Sequence, residues 1–370
     1  MAASRLRAIT LTGLIGLSGP LMAGEQDNLF ESARSLGRGR TQVSAYDSDD
    51  ATRFNPATLA ELKLTFQLRP AQLDLFVGEN SLKTISDLMK ISETDDSLDF
   101  LRKFEDKFGK RQYGRGQFGL LGMRFGAFEL SFFGVSSNWL ELRRPTTPYM
   151  NWQVDLFAGS NISYAFKMGK NFSFGTTIRP LYRFNFQGDL TFTDILEFLP
   201  PSEAEFEDYA KQKTGMGYGV DLGGIWAPSA SFRLGLTVQN VGDTSFEAAD
   251  DNGAPPALRQ KVNTGMLYRK KLGTWNWDWS LDIQDMINRD GINLLRLVHG
   301  GMELGKSFVS RDNDIGLLAG VNEGYLTGGA FLDLYVLRFE VVNYAVETGL
   351  SPGQRMDRRW GMSMQSAMTF

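Results

Sequence analysis

From residue 62 to the end of the chain, apolar and polar side chains alternate with a period of two rather than 3.6, and the runs are longer than strands of soluble proteins usually are. Over residues 172 to 187, Phe172, Phe174, Thr176, Ile178, Tyr182, Phe184 and Phe186 share one face, opposite Ser173, Thr177, Arg179, Arg183, Asn185 and Gln187. The pattern recurs with Trp152, Val154, Leu156, Ile162, Tyr164 and Phe166 against Gln153, Asp155, Asn161 and Ser163, and with Phe232, Leu234, Leu236 and Val238 against Arg233, Thr237 and Gln239. It recurs again with Trp275, Trp277, Trp279, Leu281 and Ile283 against Asn276, Asp278, Ser280, Asp282 and Gln284. A strand needs about 9 to 11 residues to cross a bilayer, and aromatic residues stand at both ends of the longest run, where headgroups would lie. Fourteen such runs, from 62–78 to 358–370, predict an all-β chain closed into a transmembrane antiparallel β-barrel of about 14 strands.

Bacterial barrels have short turns on the periplasmic side and long loops outside. With the first strand leaving the periplasm, the connections at Gly126, Met168 to Lys170, Ala227 to Ser229, Lys271 to Gly273, Ser307 to Asp312 and 334 to 335 fall inside and are short. Those at 79–113, 137–149, 189–214, 241–259, 285–294 and 346–357 fall outside and are longer; only 323–324 breaks the rule. Two of the outer loops read as helical: Leu82, Ile85, Leu88 and Met89 make one apolar stripe, Leu98, Leu101, Phe104 and Phe108 a second, and Phe192, Ile195, Leu196, Phe198 and Leu199 precede Pro200-Pro201. In the third strand, Phe128, Leu130 and Phe132 hold the even face, but after Phe133-Gly134 the apolar position shifts to Val135, which predicts a bulge or kink at the glycine.

Ahead of the strands, Arg5 and Arg7 precede an apolar run from Ala8 to Leu17 and the exit Gly19-Pro20-Leu21-Met22-Ala23, the order of a secretion signal cleaved after Ala23. No later apolar run approaches the ~20 residues of a membrane helix. The expected division is a signal at 1–23, an irregular plug at 24–61 and the barrel at 62–370. Within the plug, Gly37 and Gly39 permit backbone conformations closed to other residues, Asp49 and Asp50 suit a turn, and Pro56 biases Asn55 towards an extended shape.

Composition agrees with an envelope protein: 40 Gly, 27 Phe, no Cys and 22% charged residues among 370. Absence of cysteine removes disulfides, thiolate metal sites and thiol nucleophiles, and a net charge of -4 speaks against nucleic acid as a partner. The chain has one imidazole, His299, with no serine motif to accompany it, no calcium-loop spacing and no phosphate loop or dinucleotide fingerprint. No enzyme, no metal and no cofactor is therefore expected.

The segment Leu36-Gly37-Arg38-Gly39, Asp49-Asp50-Ala51 and Asn55-Pro56-Ala57, placed just before the first strand, resembles the N-terminal hatch of FadL-type outer-membrane transporters of long-chain fatty acids and aromatic hydrocarbons. PorV-like proteins of secretion systems and TraF-like conjugation proteins share this opening, so a partner or scaffold role is the competing expectation. The resemblance implies a hatch inside a fourteen-stranded barrel of the bacterial outer membrane, with hydrophobic small molecules and membrane lipid as its partners. It implies capture on the apolar outer loops, represented here by Leu82, Ile85, Met89, Leu101, Phe104, Leu196 and Phe198. It also implies a lateral passage at a kinked third strand, here Phe133-Gly134. The terminal Phe370, on an amphipathic last strand, resembles the signal that the barrel-assembly machinery recognises in outer-membrane proteins. Lumen-facing Arg179 and Arg183 could meet a carboxylate headgroup. The plainer account is that they and Arg233, Arg269, Arg338 and Arg359 pair with inward acids such as Asp155, Asp221, Asp278, Glu303 and Glu340, or with hatch acids.

Overall fold

The computed structural model describes residues 28–45, 51–62, 66–91, 107–143, 149–191, 211–289, 291–308 and 315–370. The strands are β1 (Phe66–Gly78), β2 (Arg111–Phe125), β3 (Phe128–Arg143), β4 (Tyr149–Met168), β5 (Phe172–Thr191), β6 (Lys211–Ser229), β7 (Phe232–Gln239), β8 (Phe246–Ala248), β9 (Lys261–Leu272), β10 (Trp275–Ile283), β11 (Val298–Lys306), β12 (Ile315–Asn322), β13 (Tyr325–Leu334), β14 (Leu337–Glu347), β15 (Met356–Ser366) and β16 (Met368–Thr369). Short helices α1 (Ala33–Gly37) and α2 (Ala51–Phe54) and a 3-10 turn at Pro56–Glu61 precede β1; helix α3 (Glu79–Ile91) follows it, and a second 3-10 turn, Leu294–Arg296, leads into β11.

Each long strand pairs antiparallel with its neighbours in sequence, and β1 closes the ring on β15 and β16, with Leu75 opposite Met362 and Leu68 opposite Met368. Short β8 lies off the ring against β6, and β16 prolongs β15, so fourteen strands form the wall of a closed barrel. Alternation sorts the side chains as the pattern requires: Phe172, Phe174 and Ile178 face out while Ser173, Thr177, Arg179 and Arg183 are buried within. At the short-turn end the outward aromatics touch one another. Phe66 lies 4.9 Å from Phe125 and 5.5 Å from Phe370, Phe166 6.0 Å from Phe174, and Phe172 6.2 Å from Trp226. This is the belt expected at a membrane interface. The wall is uneven in height, since β4 and β5 have 20 residues each while β7 and β12 have 8.

The kink expected at Gly134 is not there. The β3–β4 ladder runs unbroken from Phe128 to Arg143, and β2 pairs with β3 on both sides of Gly134. The alternation keeps its phase, and what changes is the chemistry: Phe133 and Val135 are inward and buried because the lumen is apolar at that level. The irregularity sits one strand away. In β2 the register against β3 slips between Leu120 and Met123, Leu121 has a φ of 48°, and Leu120 and Leu121 both face outward. Pro70 of β1, which has no N–H to give, falls between the paired residues Arg69 and Ala71 beside this bulge. A cavity of ≈ 20 Å³, room for one water-sized group, lies in the wall there, with Arg53, Gln72, Gly122, Glu129, Phe132 and Phe133 among its lining.

Candidate functional site

Residues 28–45 and 51–62 are held inside the barrel by contacts around its circumference, and glycines supply the closest of them. Gly39 has a φ of 67°, and a Cβ there would come within 2.6 Å of the Val321 carbonyl oxygen. The wall answers with glycines at inward positions, where a side chain would collide with hatch backbone. A Cβ on Gly320 would sit 2.5 Å from Arg38 C, one on Gly175 2.6 Å from Ala57 N, one on Gly235 2.6 Å from Val43 O, and one on Gly223 2.9 Å from Pro56 Cδ. The Asn55-Pro56-Ala57 triplet thus lies on β5 and β6. Asn55 Oδ1 accepts from Ala57 N at 3.1 Å and caps the Pro56–Glu61 turn, while its Nδ2 donates to Val43 O at 2.8 Å.

Charges hold the other side. Buried Glu303 of β11 accepts from Arg34 Nε at 3.0 Å and Nη2 at 2.5 Å, and from Arg38 Nη1 at 2.9 Å. The Arg34 guanidinium lies 4.1 Å from the Phe331 ring centroid, and its backbone N–H donates to Glu340 at 3.1 Å. Arg40 meets Glu31 at 3.3 Å and Glu323 at 3.5 Å, and Glu323 in turn meets Arg296 at 3.1 Å. Asp282 of β10 accepts two backbone N–H groups, Gln42 at 2.6 Å and Val43 at 2.9 Å. At the exit from the hatch, Glu61 accepts from Ser173 and from Arg233 at 3.3 Å, with Lys167 at 3.7 Å. Burial pushes its carboxyl up, but the Ser173 hydroxyl and the two cations outweigh this and hold it below the ordinary value of 4.5.

Between these anchors the lumen is apolar. Phe30 and Phe54 of the hatch pack with Phe133 and Val135 of β3, Phe157 of β4, Leu181 of β5, Phe246 of β8 and Leu258. Phe30 meets Phe133 edge-on at 4.8 Å. Arg53 and Arg179 lie 5.2 Å and 5.1 Å from the Phe30 ring, and Arg183 4.9 Å from Phe157. The result is an aromatic pocket rimmed by guanidinium groups and occupied by two side chains of the hatch.

The residues singled out in sequence fall as follows. Gly37, Gly39, Asn55, Pro56 and Ala57 are hatch contacts; Asp49 and Asp50 lie outside the described residues, as do Leu101, Phe104, Leu196 and Phe198. Leu82 is an exposed residue of α3, and Ile85 and Met89 lie on the same helix. Arg179 and Arg183 do rim the apolar pocket, yet each is engaged by a wall acid, Asp221 at 2.7 Å and Asp155 at 2.9 Å. Arg269, Arg338 and Arg359 likewise pair with Asp278, Asp333 and Asp357. Phe133 lines the pocket, and Gly134 faces outward under the Phe118 ring. His299 is fully buried on β11, opposite Asp282 in the ladder. Sequence reading missed the inward Phe133, Val135, Phe157 and Leu181; their signal was apolar residues in the polar phase of three adjacent strands.

No protein-family model matches the sequence, and no curated protein matches it significantly. Solved structures do. The TodX monoaromatic hydrocarbon channel in its deltaS2 mutant form is similar with a TM-score of 0.53 and 14% identity, over 95% of this chain and 100% of that one. The CymD monoaromatic hydrocarbon channel gives 0.50 and 11% over 91% and 97%. The Pseudomonas putida toluene transporter TodX gives 0.50 and 11% over 94% and 100%. At such identities the likeness is one of fold, and the fold of this chain is that of the FadL-type channels.

Proposed function

We propose that the protein is an outer-membrane channel through which small hydrophobic molecules, aromatic hydrocarbons or the acyl chains of fatty acids, diffuse inward. The observation that carries this reading is the aromatic lumen pocket whose occupants, Phe30 and Phe54, belong to the hatch rather than to the wall. An apolar solute of similar bulk fits the same lining, and its burial recovers about 2 to 3 kcal/mol per phenyl-sized group, so exchange of hatch ring for ligand is near-neutral. The long loops face the exterior, where Leu82 on α3 presents apolar surface to an incoming solute. The bulge beside Pro70, with a cavity lined by inward Gln72 and outward Phe132, offers a place in the wall for exit to the bilayer. An apolar molecule released there enters hydrocarbon directly.

The test is entry of radiolabelled toluene and of oleate into cells that lack other hydrophobic-compound channels, with and without the protein, against glycerol as a polar control. Faster entry of either hydrophobic compound but not of glycerol supports the proposal; no acceleration of either refutes it. A scaffold role like that of PorV- or TraF-like barrels has its own support in the ring of buried ion pairs, which locks the hatch without any ligand. That reading gains if purified barrels retain no apolar ligand and entry is unchanged.

A further inference from the structure

The wall is low at β10 to β12, as it is at β7, and at β10 to β12 its apolar outer face does not end with the strands. β11 and β12, with 9 and 8 residues, give about 21 to 23 Å of height at a tilt near 40°, short of the roughly 25 Å apolar band of an outer-membrane barrel. The last outward residues of this side are aliphatic and adjacent through the ladders: Ile283 opposite Val298, and Val321 opposite Leu326, which is 74% exposed. Directly above them the 3-10 turn before β11 exposes Leu294 and Leu295 at 71% and 70%. The turn is fixed rather than loose. Asn293 caps it, accepting from Leu295 N at 3.0 Å, and buried Arg296 donates to Glu323 at 3.1 Å and to the Glu347 and Gly349 carbonyls at 2.8 Å each. With Arg296 and Leu297 held inside, the two leucines are held out.

We propose that this turn is a membrane contact: Leu294 and Leu295 lie among acyl chains of the outer leaflet and complete the lipid-facing band where the strands are too short to do so. Continuity with the lipid face is the reason to choose lipid over a protein or a transported solute. A polar, solvated loop needs no paired leucines, and two such side chains left in water would forfeit about 2 kcal/mol each of available burial. This inference is independent of what the channel carries.

The chain has no cysteine, so single labels are unambiguous. Nitroxide is placed at Leu294→Cys, Leu295→Cys, Leu326→Cys as the lipid reference and Asn252→Cys, on another exposed loop, as the water reference. The full-length barrel is reconstituted in phosphatidylethanolamine and phosphatidylglycerol vesicles, and heat-modifiable gel mobility certifies folding of each variant. Collision rates with oxygen and with a water-soluble nickel chelate are then compared. The expected result is nickel access at 294 and 295 on the order of tenfold below that at 252, with oxygen access like that at 326. Nickel access equal to that at 252 overturns the proposal. So does access that is high in vesicles and falls only when toluene is added, since the surface would then belong to solute capture. If one leucine variant does not fold, the other carries the same comparison.

Discussion

Glu303→Gln is the sharpest probe of how the hatch is held. The Glu303 carboxylate is buried at 1% exposure and receives three hydrogen bonds from Arg34 and Arg38. Glutamine keeps the volume and one carbonyl acceptor but removes the charge that both guanidinium groups share. Removing one partner of a buried ionic cluster costs about 3 to 5 kcal/mol, because the remaining charge stays desolvated. At 1.4 kcal/mol per decade this raises the population of undocked α1 by about two to three and a half orders of magnitude. Ala33→Cys reports on that population: the site is 1% exposed and the chain has no other thiol, so maleimide reacts only when α1 leaves the wall. Labelling should accelerate by at least about a hundredfold in Glu303→Gln with heat-modifiable mobility intact. The control is Asp221→Asn, which breaks a pair between two wall residues, Arg179 and Asp221, and should leave labelling within about threefold. An acceleration under about tenfold in Glu303→Gln would show that the ion pairs do not hold the hatch.

Further outcomes test the other contacts. Gly320→Ala places a methyl against Arg38 and Gly39 backbone that cannot yield, so overpacking of about 1 to 3 kcal/mol should loosen the hatch and speed Ala33→Cys labelling while the strands persist by circular dichroism. Deleting Pro70 and Leu121 together removes the extra residue that β1 carries against β15–β16 and β2 against β3, while keeping β1 and β2 in phase with each other; in the proposed transport, hydrophobic entry falls while assembly is unchanged, and equal entry would exclude the bulge as the exit. Because the docked Glu61 carboxyl lies below its ordinary 4.5, its contribution is fully present above that value and is lost as pH falls through the lowered one. Protection factors of the Ala57–Glu61 amides, corrected for the intrinsic pH dependence of exchange, should therefore be flat above pH 4.5 and fall below it, and Glu61→Gln should abolish that fall.

The wall was legible because lipid on one side and a polar interior on the other force a period of two through every strand, as in Phe172 to Gln187. The hatch was legible at Gly37, Gly39 and Asn55-Pro56-Ala57 because backbone contact leaves few residue choices. What escaped is the lumen surface facing the hatch, where the two-sided rule fails. Phe133 and Val135 are apolar and inward, so they imitate a change of phase, although the ladder never breaks there. The true break, Leu120-Leu121, hides in a glycine-rich run from Gly114 to Gly122, where two adjacent outward leucines and the in-strand Pro70 opposite them were the signals. The inward Gly175, Gly223, Gly235 and Gly320 read as weak strand residues until the hatch backbone that needs them is in place.

The two kinds of hatch contact predict which part moves. Around Glu303, Asp282 and Glu323 the bonds are directional and charged, so partial displacement strands desolvated groups and is costly. Around Phe30 and Phe54 the contacts are apolar and non-directional, and any solute of matching bulk restores what withdrawal of a ring forfeits. A hydrophobic ligand therefore competes with the rings and not with the ion pairs. Arg53, which pairs with Asp74 at 3.4 Å and lies over Phe30, sits at the boundary between the two regions. In the proposed transport, the segments carrying Phe30 and Phe54 swing aside while α1 stays on β11 to β14, opening a path along β3 to β5 towards the bulge in β2 instead of straight down the barrel axis.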